Sequence, residues 1–192
     1  MPRAGLDAAG LVTAGADLAD EIGFGNLTMG LLAERVGVRT PSLYKHVDSL
    51  DALRHAIANQ ARREFAEVLA RAAVGKSGPE AVRAFADRYR RWALDHPGRY
   101  AATVRAPEAG DAEGHQVSGD ALQLMYDVLA GFELSGTRAI DAARVLRSSL
   151  HGFATLESAG GFGLPQDVTR SYHFLVDTLI AGLAHSAPDD VA

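Results

Sequence analysis

Apolar side chains recur every three or four positions through almost the whole chain, and glycine and proline punctuate the runs, which predicts helices throughout and no sheet. From Leu6 to Ile22 the stripe is Leu11, Gly15, Leu18 and Ile22, widened by Val12, Ala16 and Ala19, and Gly23 and Gly25 end it. Thr28 stands at an N-cap position ahead of Leu31, Leu32 and Val36, and Gly37 closes that short helix as a left-handed cap. Thr40 and Pro41 open the next, as cap and first residue, with Val38, Leu43 and Val47 turned inward. Asp48 and Ser49 then cap a long helix whose inner positions are Leu50, Leu53, Ile57, Ala61, Phe65, Val68 and Leu69. An aromatic-rich helix carries Val82, Phe85, Ala86, Tyr89, Trp92 and Ala93 and stops at His96, Pro97 and Gly98. A short helix spans Arg99 to Val104, and Pro107 to Gly114 reads as an acidic loop. Three helices complete the chain. Val117 to Phe132 turns Leu122, Met125, Tyr126 and Leu129 inward. One capped by Thr137 turns in Ile140, Ala143, Leu146, Leu150, Phe153 and Leu156, and Gly160, Gly161 and Gly163 end it. The last follows Pro165, with Val168, Tyr172, Leu175, Val176, Leu179, Ile180 and Leu183 inward.

Thr28 to Val47 is therefore two short helices joined by a glycine turn. The second leaves Arg39, Thr40, Ser42, Tyr44, Lys45 and His46 on its outer face. This is the pattern of a helix-turn-helix, whose second helix suits a major groove. Periodicity alone leaves an αα-hairpin with an incidental basic edge equally open.

The order Thr28, Ala33, Gly37, Val38, Leu43, Tyr44, Lys45 and His46 resembles the helix-turn-helix signature of the TetR family of transcriptional regulators. The resemblance implies an all-α chain with an amino-terminal three-helix helix-turn-helix domain over 1–48. A helical-bundle ligand-binding and dimerisation domain over 49–187 and a flexible tail over 188–192 would follow. It further implies a repressor without a cofactor whose partners are double-stranded DNA bearing an approximately palindromic operator, a small-molecule effector, and a second copy bound through the last two long helices. Phosphate contacts then fall to Thr28, Thr40, Tyr44 and Lys45, and base edges to Arg39, Thr40, Ser42 and His46, on the helix that Pro41 opens. Similar regulators carry a lysine where Leu50 stands, and Arg54 and His55 replace that charge only in part. Leu150 to Gly163 resembles the carboxy-terminal domain of a subgroup marked by a Trp-His-Gly triplet, with Leu150 in place of the tryptophan. Family precedent puts the effector among the middle helices, near Phe65, Leu69, Phe85, Tyr89, Trp92, Met125, Tyr126, Arg147 and His151. Arg147 and His151 are one helical turn apart and suit a polar or anionic group on an otherwise hydrophobic ligand.

Composition narrows the remaining chemistry. With 47% hydrophobic residues over 192 positions the chain can bury a substantial core. The absence of cysteine removes disulfides, thiolate metal sites and cysteine nucleophiles. No apolar run reaches membrane-spanning length, and Met1 to Gly10 lacks a signal-peptide pattern, so a cytoplasmic location without membrane contact is expected. The net charge of −5 opposes bulk attraction to nucleic acid. Even the first fifty residues set Asp7, Asp17, Asp20, Glu21, Glu34 and Asp48 against Arg3, Arg35, Arg39 and Lys45, so a modest salt dependence is expected.

Gly75, Lys76 and Ser77 mimic the end of a phosphate loop, but Ala70 occupies the position of its first glycine and a helix precedes it. Ser149, His151 and Glu157 lie on one predicted helix without a nucleophile elbow, and His115, His151, His173 and His185 lack metal-ligand spacing, so neither catalysis nor a metal site is expected. Two other classes make distinct predictions. A helical ligand-binding protein with a decayed DNA module would show no salt-sensitive DNA binding, and a small helical enzyme would lose turnover on changing Ser149 or His151.

Overall fold

The computed structural model describes residues 7–185 except 105 and 108, so the expected tail over 188–192 lies outside the described residues. Among the described residues the regular elements are all helical: α1 Ala8–Ile22, α2 Met29–Val36, α3 Thr40–Leu43, α4 Leu50–Ala73, α5 Gly78–Asp95, α6 Pro97–Val104, α7 Ala112–Leu129, α8 Gly136–Ser158 and α9 Val168–Ala184. They form two compact units, Met1–Glu64 with Asp95–Val117, and Phe65–Leu94 with Ser118–Ala192. The α4 helix contributes residues to both units.

In the first unit α1 begins at a side-chain cap, the Gly10 amide donating to Asp7 Oδ1 at 2.7 Å. Its inner stripe meets Leu27, Leu32, Leu43, Leu53 and Ile57, all fully buried. Each such side chain contributes about 1.5–3 kcal/mol through burial. α6 lies against α1 with Gly98 at the contact: a β-carbon there would stand 2.0 Å from the Ala19 carbonyl oxygen. The His96-Pro97-Gly98 stop thus has a second use, with Pro97 opening α6 two residues earlier than the pattern predicts.

α7 likewise starts earlier than expected, because buried Asp111 caps it through the Gly114 amide at 2.7 Å. Asn59 Nδ2 also donates to this carboxylate at 3.2 Å, and His55 Nε2 lies 2.9 Å from its other oxygen. Burial pushes the Asp111 carboxyl up, but the Gly114, His55 and Asn59 bonds outweigh it and hold it below the usual range.

In the second unit α5, α8 and α9 pack through small and aromatic residues. Tyr172 is fully buried and donates its hydroxyl to the Ala86 carbonyl at 2.5 Å. The Arg90 guanidinium lies 5.1 Å from the centre of the Tyr172 ring and pairs with Glu157, with Thr169 Oγ1 at 3.2 Å. Leu122, Ile140 and Leu156, expected inside, are exposed. In α7 the buried stripe runs instead through Val117, Met125, Val128 and Leu129. In α8 the inward positions are Ala143, Leu146, Leu150 and Ala154, whose small or aliphatic side chains already fill the single contact face.

Candidate nucleic-acid interface and effector site

The Thr28 hydroxyl oxygen accepts the Leu31 amide at 3.2 Å, which starts α2, and Gly37 ends it at φ 70° and ψ 35°, a conformation that side chains with a β-carbon disfavour. The α3 helix differs slightly from expectation. Thr40 is its first helical residue and Arg39 occupies the cap position without a side-chain bond, because Arg39 is the residue still in extended backbone, at φ −81° and ψ 143°. Beyond Leu43 the chain keeps turning in a tighter form, with the His46 and Val47 amides both donating to the Leu43 carbonyl at 2.9 and 3.1 Å. Leu43 is fully buried and anchors this turn, while Val38 and Val47 pack on the same core.

Anchoring Leu43 decides what faces outward. Arg39, Pro41, Tyr44 and Lys45 are exposed, Tyr44 by 51%, and Thr40, Ser42 and His46 are half-buried. Thr28 is exposed at the neighbouring helix start. Part of the acidity of this region is engaged internally, while Glu34 and Asp48 stay exposed. Asp7 caps α1, Asp17 and Asp20 hold Arg99, and Glu21 pairs with Arg35. Among the described residues no ion pair takes Arg39 or Lys45. Paired carboxylates repel phosphate less than bare ones, so Asp17, Asp20 and Glu21 weigh less against a phosphate partner than the net charge implies.

Of the expected effector residues, the structure brings four into one aromatic cluster. Phe65 stacks on Trp92 with ring centres 4.5 Å apart and meets Tyr89 edge-on at 5.0 Å. Tyr89 in turn lies 6.2 Å from Phe85, and Leu69 is buried on the same α4 as Phe65. Met125 is buried and Tyr126 half-buried on α7, whereas Arg147 is exposed on α8 and His151 is half-buried there, with Thr155 Oγ1 at 3.5 Å. A cavity of about 300 Å³ lies elsewhere, between α8 and α9, and is lined by Leu134, Val145, Leu146, Leu179 and Leu183 among others. None of the nine expected effector residues lines it.

Residues 11–57 match the family model for bacterial regulatory proteins of the tetR family, and residues 82–179 match the tetracyclin repressor-like carboxy-terminal domain. Over 184 residues the chain is 32% identical to the HTH-type transcriptional regulator YobS of Bacillus subtilis, covering 95% of each protein. It belongs to the TetR family.

This TetR-family regulator is also 39% identical, over 142 residues, to an HTH-type transcriptional regulator of Mycobacterium tuberculosis. The aligned region is 73% of this chain and 65% of that relative's length. Its fold matches a protein of unknown function from Rhodococcus sp. RHA1 with a TM-score of 0.79 at 24% identity, over 96% of this chain and 100% of the other. BioQ in complex with its natural double-stranded DNA operator gives a TM-score of 0.68 at 20% identity, over 94% and 99% of the two chains. A TetR variant from Acinetobacter baumannii AYE in complex with minocycline gives 0.68 at 24% identity, over 92% and 96%.

The two residues offered in place of a lysine at Leu50 are otherwise engaged in this TetR-family chain. Arg54 donates to the Gly25 and Leu27 carbonyls at 3.3 and 3.0 Å, and His55 lies against Asp111. Leu50 itself packs partly on the head core. A lysine there would keep the apolar contact through its stem and extend its charge outward. Leu50→Lys is expected to tighten binding to duplex DNA about threefold at moderate salt and to steepen the logarithmic salt dependence by about one per head. An unchanged slope in a fluorescence anisotropy titration would show that position 50 does not approach phosphate.

The contacts that Arg99, Asp20, Gly98 and Asp111 make were not foreseen from the sequence, because Asp20 meets Arg99, Gly98 meets Ala19 and Asp111 meets Asn59 across about 50 to 80 positions, where no local spacing announces them. The nearest signal was the pair of glycines Gly98 and Gly114, which stand in the first turns of α6 and α7, close behind Pro97 and Asp111.

Proposed function

We propose that this regulator is a cytoplasmic repressor that binds an approximately palindromic operator as a homodimer and releases it when a small, largely apolar molecule enters the aromatic cluster. The observation that carries the reading is the exposed set Arg39, Tyr44 and Lys45 on a turn anchored by the fully buried Leu43. Tyr44 and Lys45, with Thr28 and Thr40, would hold phosphates. Arg39, Thr40, Ser42 and His46 would meet base edges along the turn that Pro41 opens. BioQ has been solved on its operator and the Acinetobacter baumannii TetR variant with minocycline, which supports both halves of the reading. Phe65, Leu69, Phe85, Tyr89 and Trp92 would part to admit the effector, with Met125 and Tyr126 as further walls and Arg147 and His151 at its polar end. The test is selection from random duplex DNA followed by anisotropy titration at low and moderate salt. Tight, salt-sensitive binding supports the reading, and failure to enrich any sequence overturns it.

A second subunit would cover apolar surface left exposed on α8 and α9. Phe174 is 75% exposed and Leu156 and Val145 about half, alongside the α8–α9 cavity. Such surface is what a four-helix interface between two copies would bury. Phe174→Asp with Val145→Asp is expected to halve the mass in sedimentation equilibrium at micromolar concentration. Operator affinity should fall at least about a hundredfold because the two heads are no longer joined. Equal masses for wild type and variant would show that this face is not the interface.

A further inference from the structure

The described arginines of the first unit are almost all engaged within it. Arg35 pairs with Glu21, Arg63 with Glu113, and Arg99 with Asp17 and Asp20. Arg54 donates to the Gly25 and Leu27 carbonyls, and buried Arg62 donates to Asn59 Oδ1 at 2.7 Å. Arg39 is the exception. Among the described residues of this unit it is the one arginine whose side chain no hydrogen bond or ion pair engages, and it is exposed. Its guanidinium keeps the whole planar fork of donors for an outside partner.

The backbone that carries this fork is tied on both sides. The Gly37 and Val38 amides donate to the Glu34 and Ala33 carbonyls at 3.1 and 3.0 Å, and the Ser42 amide donates to the Arg39 carbonyl at 2.8 Å. Val38 packs on the head core and Leu43 is buried in it. A side chain that leaves a fixed point can hold the narrow geometry that recognition of a base edge needs. Tyr44 and Lys45 lie past the end of α3, which leaves Arg39 at the end that a helix-turn-helix turns toward base edges.

The chemistry of the fork selects the base. Arginine has donors and no acceptor. In the major groove guanine presents its N7 and O6 acceptors side by side, whereas adenine sets an N6 amino donor beside N7, cytosine presents the N4 amino donor, and thymine sets a methyl group beside O4. Only guanine accepts both arms.

We propose that Arg39 fixes a guanine at one position in each half of the operator, read through N7 and O6. The inference rests on the functional reading above and adds to it the base.

The experiment selects duplexes from random DNA with wild type, Arg39→Ala and Arg39→Gln in parallel. Anisotropy then compares the wild-type site with a copy in which that guanine is changed to adenine in one half. Wild type is expected to enrich an invariant guanine in each half and to bind the changed copy about thirtyfold more weakly. Arg39→Ala is expected to enrich the same sites with that one position random, and to separate the two copies by less than about twofold. Glutamine carries an acceptor and a donor, so Arg39→Gln is expected to exchange guanine for adenine at that position alone. The side chain is exposed and unbonded, so both variants should match wild type in helicity by circular dichroism. An arginine on phosphate would give another pattern. Both variants would keep the guanine and lose affinity for both copies alike, with a salt dependence shallower by about one per head. That pattern, or a wild-type selection without a guanine that responds to residue 39, overturns the proposal. Failure to enrich any sequence overturns the functional reading itself, at an earlier and separate step.

Discussion

Tyr44→Ala combined with Lys45→Ala is expected to lower operator affinity by nearly a thousandfold while leaving the fold intact. Both side chains are exposed on the turn that follows α3, so their loss removes no core contact. Exposed substitutions of this kind change stability by about 0.5 kcal/mol or less. A charge-assisted lysine–phosphate bond and a tyrosine contact together contribute about 2 kcal/mol per head. With two heads the loss is about 4 kcal/mol, which is close to three decades in affinity. The salt dependence should become shallower by about two, one for each lysine removed from a phosphate. Anisotropy titrations at two salt concentrations measure both quantities, and circular dichroism checks helicity. Unchanged affinity in a folded variant would place the interface on another surface.

Gly98→Ala is expected to be among the most damaging single methyl additions in the chain. The added carbon would lie 2.0 Å from the Ala19 carbonyl oxygen and 2.5 Å from the Asp20 amide nitrogen, both backbone atoms that no rotamer change can withdraw. α6 must lift off α1, and the Asp20 bonds to Arg99 lengthen with it. Overpacking against backbone costs about 3 kcal/mol or more. For a chain of this size that corresponds to a fall of about 10 °C in the thermal midpoint. Gly119→Ala is the control, since Gly119 is exposed within α7 with nothing inside 4 Å of the added carbon. It should raise stability by up to about 1 kcal/mol through helix propensity. Urea unfolding of both variants decides the matter, and a Gly98→Ala midpoint equal to wild type would refute the close contact.

Both predictions concern glycines or surface residues whose meaning differs in legibility. Gly37 could be assigned from the sequence because its cap is local: it follows a periodic run and ends it. Gly98 could not, because the reason for its missing side chain is the backbone of Ala19, far earlier in the chain. The same contrast separates the two halves of the candidate site. Thr28, Leu43 and the outward residues from Arg39 to His46 follow from helical period and capping within twenty positions. The inward positions of α5 were equally clear, and Val82, Phe85, Ala86, Tyr89, Trp92 and Ala93 are all buried. In α7 and α8 the apolar stripe is wider than one contact face, so period alone did not say that Leu122, Ile140 and Leu156 would remain outside.

The charge objection shows how tertiary placement alters a count. Six acids against four bases in the first fifty residues argue against a phosphate partner. Asp17 and Asp20 sit on Arg99 and Glu21 on Arg35, which leaves Glu34 and Asp48 as the exposed acids nearest α3, so the sum overstates the local acidity without reversing it.

Local chemistry therefore determined the helices, most of their ends and the two short helices from Thr28 to Val47, because hydrogen bonding, capping and apolar period act over a few positions, while the family signature of that segment marked it as a helix-turn-helix. Tertiary structure alone decided that residues 95–117 join the head unit, that Arg99 gathers Asp17 and Asp20, and that Asp111 is buried against α4. Those contacts join residues about 50 to 80 positions apart, and which carboxylate reaches which cation at that separation is set by how helices pack rather than by spacing along the chain.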